Sequence, residues 1–186
     1  KKAIFTVGVL VANRIQIVQQ KAVMEGITIT KKENTIRETM IIGESDKIKK
    51  VLLNLLKNAL EAMSPGGILT ISVKLDNFGK VVLGISDTGK GMDKSQVKQV
   101  FMPFYTTKAD GTGLGLPFVL KVIEEHGGTI AVDSTVNTGT SFIVTLPSPI
   151  SPHQAVASTD TTVFPHSLTF IYALLFFFHT TVFSFI

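Results

Sequence analysis

The sequence predicts a two-layer α/β sandwich, a mixed sheet covered on one face by helices. Three observations carry this reading: helical apolar periodicity over residues 10–25, the same over 45–63, and two pairs of short strand-like segments that alternate with the helical ones. At 186 residues the chain is long enough for one substantial core with room for an appendage.

The elements follow in chain order. Leu10, Val11, Ile15, Ile17, Val18 and Val23 recur among Gln, Asn and Lys, which predicts a helix ended by Gly26. ITIT (27–30) and TMIIG (39–43) are short strands. Ser45 is placed to cap a long helix, DKIKKVLLNLLKNALEAM, which Ser-Pro-Gly-Gly at 64–67 stops. ILTISVKL (68–75), a DNFG turn and KVVLGISD (80–87) make a hairpin whose second strand ends on Asp87. A mostly irregular stretch runs to residue 110. A helix then spans about 114–126, closed by Gly127 and Gly128, with Pro117 tolerated in its first turn. GTIAVDST and GTSFIVTLP form a last hairpin, and the Pro-Ser-Pro segment at 147–152 ends the domain.

Composition divides the chain into a domain of residues 1–147 and an apolar tail of 148–186. All 18 Lys and Arg precede residue 148, and the tail carries one charged side chain, Asp160. With Asp160 set aside, 13 acidic residues face those 18, a scattered excess of +5 that suits small anionic ligands and not a nucleic-acid track. The absence of Cys excludes disulfides, thiolate metal sites and a thiol nucleophile, and it suits a reducing, cytoplasmic compartment. The start, KKAIFTVGVLVANRIQ, has a basic and then apolar character but no small-x-small cleavage pattern, so secretion is not expected. Residues 163–186 are uncharged and long enough to span a bilayer, yet no Lys or Arg flanks them. A membrane anchor, a packed apolar segment and a non-native end all fit that tail.

Four stretches concentrate chemistry. On the long helix, Ile48, Val51, Leu52, Leu55, Ala59 and Met63 form an apolar stripe, while Lys47, Lys50, Asn54, Asn58 and Glu61 share another face. Asn is a poor helix former, so two of them one turn apart call for a reason. A solvated face is one; neutral oxygen ligands for a magnesium ion bound mainly through nucleotide phosphates are another. DTGKGM (87–92) puts a carboxylate at a strand end before glycines that admit a flat ligand, where it can accept from an exocyclic amine. The same tripeptide occurs in aspartic proteases, but their paired carboxylates need a second such motif, which is absent. GTGLGL (111–116) opens a helix and can hold phosphate oxygens on its amides. It is neither a Walker loop nor a dinucleotide fingerprint. Between them, FMPFYTTK offers Phe101, Pro103 and Phe104 as apolar anchors, then Thr106, Thr107 and Lys108, either as a hinged lid over an anion or as an ordinary surface loop.

In order and spacing, NLLKNALEAM, DTGKGM, FMPFYTTK and GTGLGL resemble the N box, first glycine box, F box and second glycine box of one ATP-binding domain. It is shared by sensor histidine kinases, gyrase-type topoisomerases, mismatch-repair ATPases and the heat-shock chaperone ATPase. The resemblance covers about residues 10–147. The F box, the short lid and Asn at position 54 resemble the histidine-kinase branch, with nitrogen-regulation and sporulation kinases most similar.

The resemblance implies ATP and magnesium as ligands, with the γ-phosphate transferred to a His. Asn58 would coordinate the metal and Asn54 would assist the metal or polarise the transfer. Asp87 would take the adenine amine, Gly89 and Gly91 would shape its pocket, and Thr140 would support Asp87 through a water. Thr107, Lys108 and the amides of Gly111, Thr112, Gly113, Leu114 and Gly115 would meet the phosphates. Glu61 stands where many relatives keep a basic phosphate contact. His126, the first His of the chain, is implied to be structural. The acceptor His would therefore come from a dimerisation domain outside this chain, of which residues 1–25 would include a remnant, and a response regulator would be the onward partner. Without that acceptor domain the kinase is expected to be inactive. Two alternatives remain: an ATPase or serine kinase of the same superfamily, whose members usually carry Glu at the Asn54 position and lack the F box, and a nucleotide-binding module without turnover.

Overall fold

The computed structural model describes residues 2–33 and 39–149. In chain order the elements are β1 (Ala3–Thr6), α1 (Val7–Met24), β2 (Thr28–Glu33), β3 (Met40–Gly43), α2 (Ser45–Ala62), β4 (Ile68–Leu75), β5 (Val81–Asp87), α3 (Lys94–Gln99), α4 (Gly115–Glu125), β6 (Thr129–Thr135) and β7 (Gly139–Leu146). Five strands form one sheet in the order β2-β4-β5-β7-β6; β2 runs parallel to β4 and the other pairs are antiparallel. The expected mixed sheet and two-layer α/β architecture are therefore observed.

Strand parity aims the sheet at its helices. Leu69, Ile71 and Val73 of β4, Val81, Leu83 and Ile85 of β5, and Phe142, Val144 and Leu146 of β7 are buried, while their alternate neighbours are less so. α2 lies over this face, in contact with α1, α4, β5 and β7. It buries Ile48, Val51, Leu52, Leu55, Leu56, Ala59 and Leu60. Truncating a side chain as enclosed as Leu55 to Ala should cost about 2–5 kcal/mol.

Several expectations need correcting. The short strand expected at 39–43 is present as β3, and it pairs antiparallel with β1, a strand the sequence reading did not include, Ala3 opposite Gly43 and Thr6 opposite Met40. β1 has only four residues and no periodicity of its own, so its partner alone reveals it. α1 starts at Val7, where the Val7 amide bonds Thr39 O at 2.8 Å, and not at residue 10. Ser45 is the first helical residue of α2; Glu44 holds the cap position without a side-chain cap bond. Its amide instead donates to His126 Nε2 at 3.0 Å, and the His126 Nδ1–H is left to donate to Val122 O at 2.7 Å. A Cβ on Gly43 would stand 2.3 Å from that ring. His126 is thus a buried structural link between the ends of α2 and α4. Lys47 makes a second link, bridging Glu44 and Glu125.

The stretch read as irregular contains α3, set by a capping box: Asp93 Oδ1 accepts the Gln96 amide at 2.8 Å and Gln96 Oε1 accepts the Asp93 amide at 2.9 Å. α4 ends as expected. Gly127 (φ 71°) takes the left-handed conformation that lets Gly128 N–H reach Ile123 O at 2.9 Å. No described helix is long and apolar enough to cross a membrane. The apolar segment 163–186 lies outside the described residues.

Candidate functional site

A cleft of about 620 Å³ opens between α2, the end of β5 and the segment leading into α4. Asn54, Asn58 and Glu61 enter it from α2, Asp87 and Gly91 from the end of β5, and Thr140 from β7. Thr107, Lys108, Gly111, Thr112, Gly113 and Gly115 close its other side. Asp87 and Asn58, remote in sequence, thus face one space.

Parity decides the first end of the cleft. Asp87 continues the buried series Val81, Leu83, Ile85, and Thr140 continues Leu146, Val144, Phe142; the two are paired in the β5–β7 register. At this edge of the sheet each strand therefore directs a polar inward residue, the last of β5 and the first of β7, into the mouth of the core. Asp87 is only 8% exposed. Its Oδ1 accepts from the Gly89 amide at 2.9 Å and the Thr140 amide at 3.3 Å, which leaves Oδ2 for a ligand. Burial pushes its carboxyl above the ordinary value, and the two amides oppose that only in part. A desolvated carboxylate with one unassigned oxygen is a strong, directional acceptor.

At the second end, α2 presents Asn54, Asn58 and Glu61 at its less buried side. Asn54 Nδ2 donates to Lys50 O at 2.9 Å, which fixes the amide so that Oδ1 faces the start of α4. A Cβ on Gly115 would stand 2.9 Å from that oxygen. Lys108 Nζ donates to Asn58 Oδ1 at 2.8 Å and to Glu61 Oε2 at 2.5 Å. Two hard oxygens therefore converge on a single cation, here an ammonium. That donor set also fits a magnesium ion, which keeps most of its waters and borrows its remaining ligands from phosphates. Among the described residues no group of three or more His, Cys, Asp or Glu could hold a metal by itself. The Lys108–Glu61 pair is more than a third exposed on both sides, so it is worth only about 0–1 kcal/mol and is readily exchanged.

The glycine-rich segment closes over this end. Phe104 (φ 66°) and Gly113 (φ 66°) are both left-handed, and the Phe104 amide donates to Gly113 O at 3.0 Å, clasping the two stems. A Cβ on Gly113 would lie 2.4 Å from the Phe104 carbonyl carbon, so glycine is required on space and on φ alike. α4 begins at Gly115 with no side-chain cap and no acidic residue in its first turn, which leaves its positive end open to an anion.

Two expected residues do not line the cleft. Gly89 lies against the end of α2, where a Cβ would stand 2.4 Å from Ala62 O; it shapes the pocket indirectly, through its amide on Asp87. Leu114 is exposed at the cap position of α4, with its side chain outside the cleft. The anchoring role divides as well. Phe101 is half-buried, edge-on to Phe142 at 6.4 Å, but Pro103 and Phe104 are exposed, because the left-handed backbone at Phe104 turns its ring outward. Residues the motif reading passed over also line the cleft: Lys90 and Met92, inside DTGKGM itself, Tyr105 inside the F box, and Gln96 on α3.

Residues 43–150 match the family described as histidine kinase-, DNA gyrase B- and HSP90-like ATPases. The chain is 38% identical over 140 residues to the sensor histidine kinase ZraS of Klebsiella oxytoca, covering 74% of this chain and 30% of that protein. It is 37% identical over 131 residues to sporulation kinase C of Bacillus subtilis (strain 168), covering 70% of this chain and 30% of the relative. It thus spans about 30% of the length of these curated relatives. Among solved structures it resembles the nucleotide-free catalytic domain of histidine kinase ThkA, with a TM-score of 0.71 and 29% identity over 83% of this chain and 99% of that one. A second ThkA structure, in complex with the response regulator protein TrrA, matches with a TM-score of 0.67 at 26% identity, covering 82% of this chain and 43% of that one.

Proposed function

The chain belongs to the histidine kinase-, DNA gyrase B- and HSP90-like ATPases and carries the catalytic domain of their histidine-kinase branch, and from that premise we propose that it binds ATP with magnesium in the cleft and passes the γ-phosphoryl group to a His on a dimerisation domain outside this chain. The observation that carries the proposal is the shared cleft, with an amine acceptor at Asp87, paired carboxamides at Asn54 and Asn58, and a glycine-rich segment across from them.

Each residue then has a physical task. Asp87 Oδ2 accepts the adenine amine, while Gly89 and Thr140 hold its other oxygen. Asn58 and Glu61 supply the oxygens for the cation, releasing Lys108 to the phosphates. Magnesium, when bound, neutralises charge on the transferring phosphate. Thr107, Thr112 and the amides up to the start of α4 hold phosphate oxygens. Asn54, fixed by Lys50 O, orients the reacting end without offering a carboxylate base to a water. Catalysis is positioning and charge neutralisation: the acceptor imidazole nitrogen forms the bond to phosphorus as the bond to ADP breaks.

The phosphohistidine is then the donor to a response regulator, as the ThkA complex with TrrA supports. Residues 1–147 form the catalytic unit in this reading, on the cytoplasmic side that a Cys-free chain suits. Mixing the chain with a separately made acceptor hairpin and γ-labelled ATP tests it. Label on the hairpin His is the expected result. Phosphate released without the hairpin would favour an ATPase, and binding with neither would favour a module without turnover.

A further inference from the structure

Ser134 lies outside the residues assigned so far, yet its hydroxyl meets three polar groups. Ser134 Oγ accepts the Met92 amide at 2.8 Å, lies 2.9 Å from Gly139 O and lies 2.9 Å from Thr140 Oγ1. The β6–β7 register sets it directly opposite Thr140, so both project to the same face of the sheet.

Proton counting fixes the direction of each bond. A serine hydroxyl has one proton and two lone pairs. An amide can only donate, so Met92 N–H takes one lone pair. A carbonyl can only accept, so the Ser134 proton goes to Gly139 O. What remains on Ser134 is one lone pair, and only the Thr140 proton can fill it. Thr140 therefore donates inward and turns toward the cleft nothing but lone pairs. Asp87, paired with Thr140 across the β5–β7 ladder, is likewise an acceptor there.

We propose that Ser134 is a specificity-determining positioning residue: it orients the Thr140 hydroxyl so that Thr140 and Asp87 together present a wall of acceptors to this end of the cleft. Such a wall selects a ring edge that offers an amine and rejects one that offers a carbonyl oxygen. This rests on the reading of that end as the adenine site. Ser134 also ties the turn after β5, through Met92, to the β6–β7 turn, through Gly139, so the wall keeps its shape before any ligand arrives.

The test compares ATP with inosine triphosphate, whose base has a carbonyl oxygen where adenine has its amine, by calorimetry on the whole chain. The unaltered protein is expected to prefer ATP. In Ser134→Ala the Thr140 hydroxyl is freed to donate, so inosine triphosphate binds better and the preference falls about tenfold, the worth of one hydrogen bond. Ser134→Thr keeps a hydroxyl at the position and should keep the preference. Equal weakening of both nucleotides in Ser134→Ala would make Ser134 merely structural and overturn the proposal. Should that variant not fold, Thr140→Val removes the oriented hydroxyl itself, and a preference unchanged there overturns the proposal equally. An unaltered protein that binds ATP and inosine triphosphate alike would instead bring down the adenine reading, and this inference with it.

Discussion

The two ends of the cleft are built on different principles. The Asp87 end is made of adjacent strands; its groups are nearly enclosed and held by backbone amides and by Ser134. The Asn58 end joins one helix to a glycine-rich segment through a half-exposed lysine. A carboxylate held by a ladder cannot adapt, so it discriminates. A lysine held at about 0–1 kcal/mol can leave, so it lets the segment rearrange around different phosphate states. In the proposed function, selectivity and turnover thus fall to separate parts of one site.

The strongest challenge to this division is Asp87→Asn, which turns a donor toward the adenine amine and should weaken ATP binding about a hundredfold or more by calorimetry. The same change should raise the stability of the ligand-free fold at neutral pH. The folded-state pKa of Asp87 is raised by burial. Its neutral form therefore contributes stability below the unfolded value of about 3.9, and that contribution is lost as pH rises through the folded value. The gain from Asn should accordingly be absent in acid and appear toward neutrality in denaturant titrations; a loss of stability at neutral pH would show that the carboxylate is not a strained group. Asn58→Ala should act at the other end only, weakening binding about tenfold with magnesium present and little with a chelator. Magnesium sensitivity that persists would place the ion elsewhere.

Lys108→Ala should weaken ATP only severalfold and flatten the salt dependence of binding, as expected for an exposed cation. A hundredfold loss would erase the contrast between the ends. His126→Ala leaves the Glu44 amide without its acceptor and should lower stability by about 1–3 kcal/mol in a melt, while the preference for ATP over inosine triphosphate stays put. Least of all should change on deleting residues 150–186, because the described residues lining the cleft lie between Asn54 and Phe142. ATP affinity altered by that deletion would make the tail part of the site.

Most of the cleft was legible because its chemistry is local. Two Asn one turn apart, and two glycine clusters at a strand end and a helix start, are short-range patterns. Ser134 was not legible, since its role depends on which residue of β7 lies opposite, and a register is not written in β6 alone. β1 stayed hidden for the same reason. α3 is a different kind of omission: the Asp-Lys-Ser-Gln box at its start is a readable signature, but the helix buries no residue and so has no apolar stripe to draw attention to it. The exposure of Phe104 could not be read either, because an aromatic residue in a left-handed conformation runs against its own preferences.

The Phe104–Gly113 clasp has an engineering consequence. Because it pins both stems, residues could be inserted between them, clear of Thr107, Lys108 and the glycines, at little cost in chain closure. Doubling such a segment adds only about 0.6 kcal/mol of closure entropy. Such insertions would lengthen the segment over the cleft and leave β5 and β7 untouched.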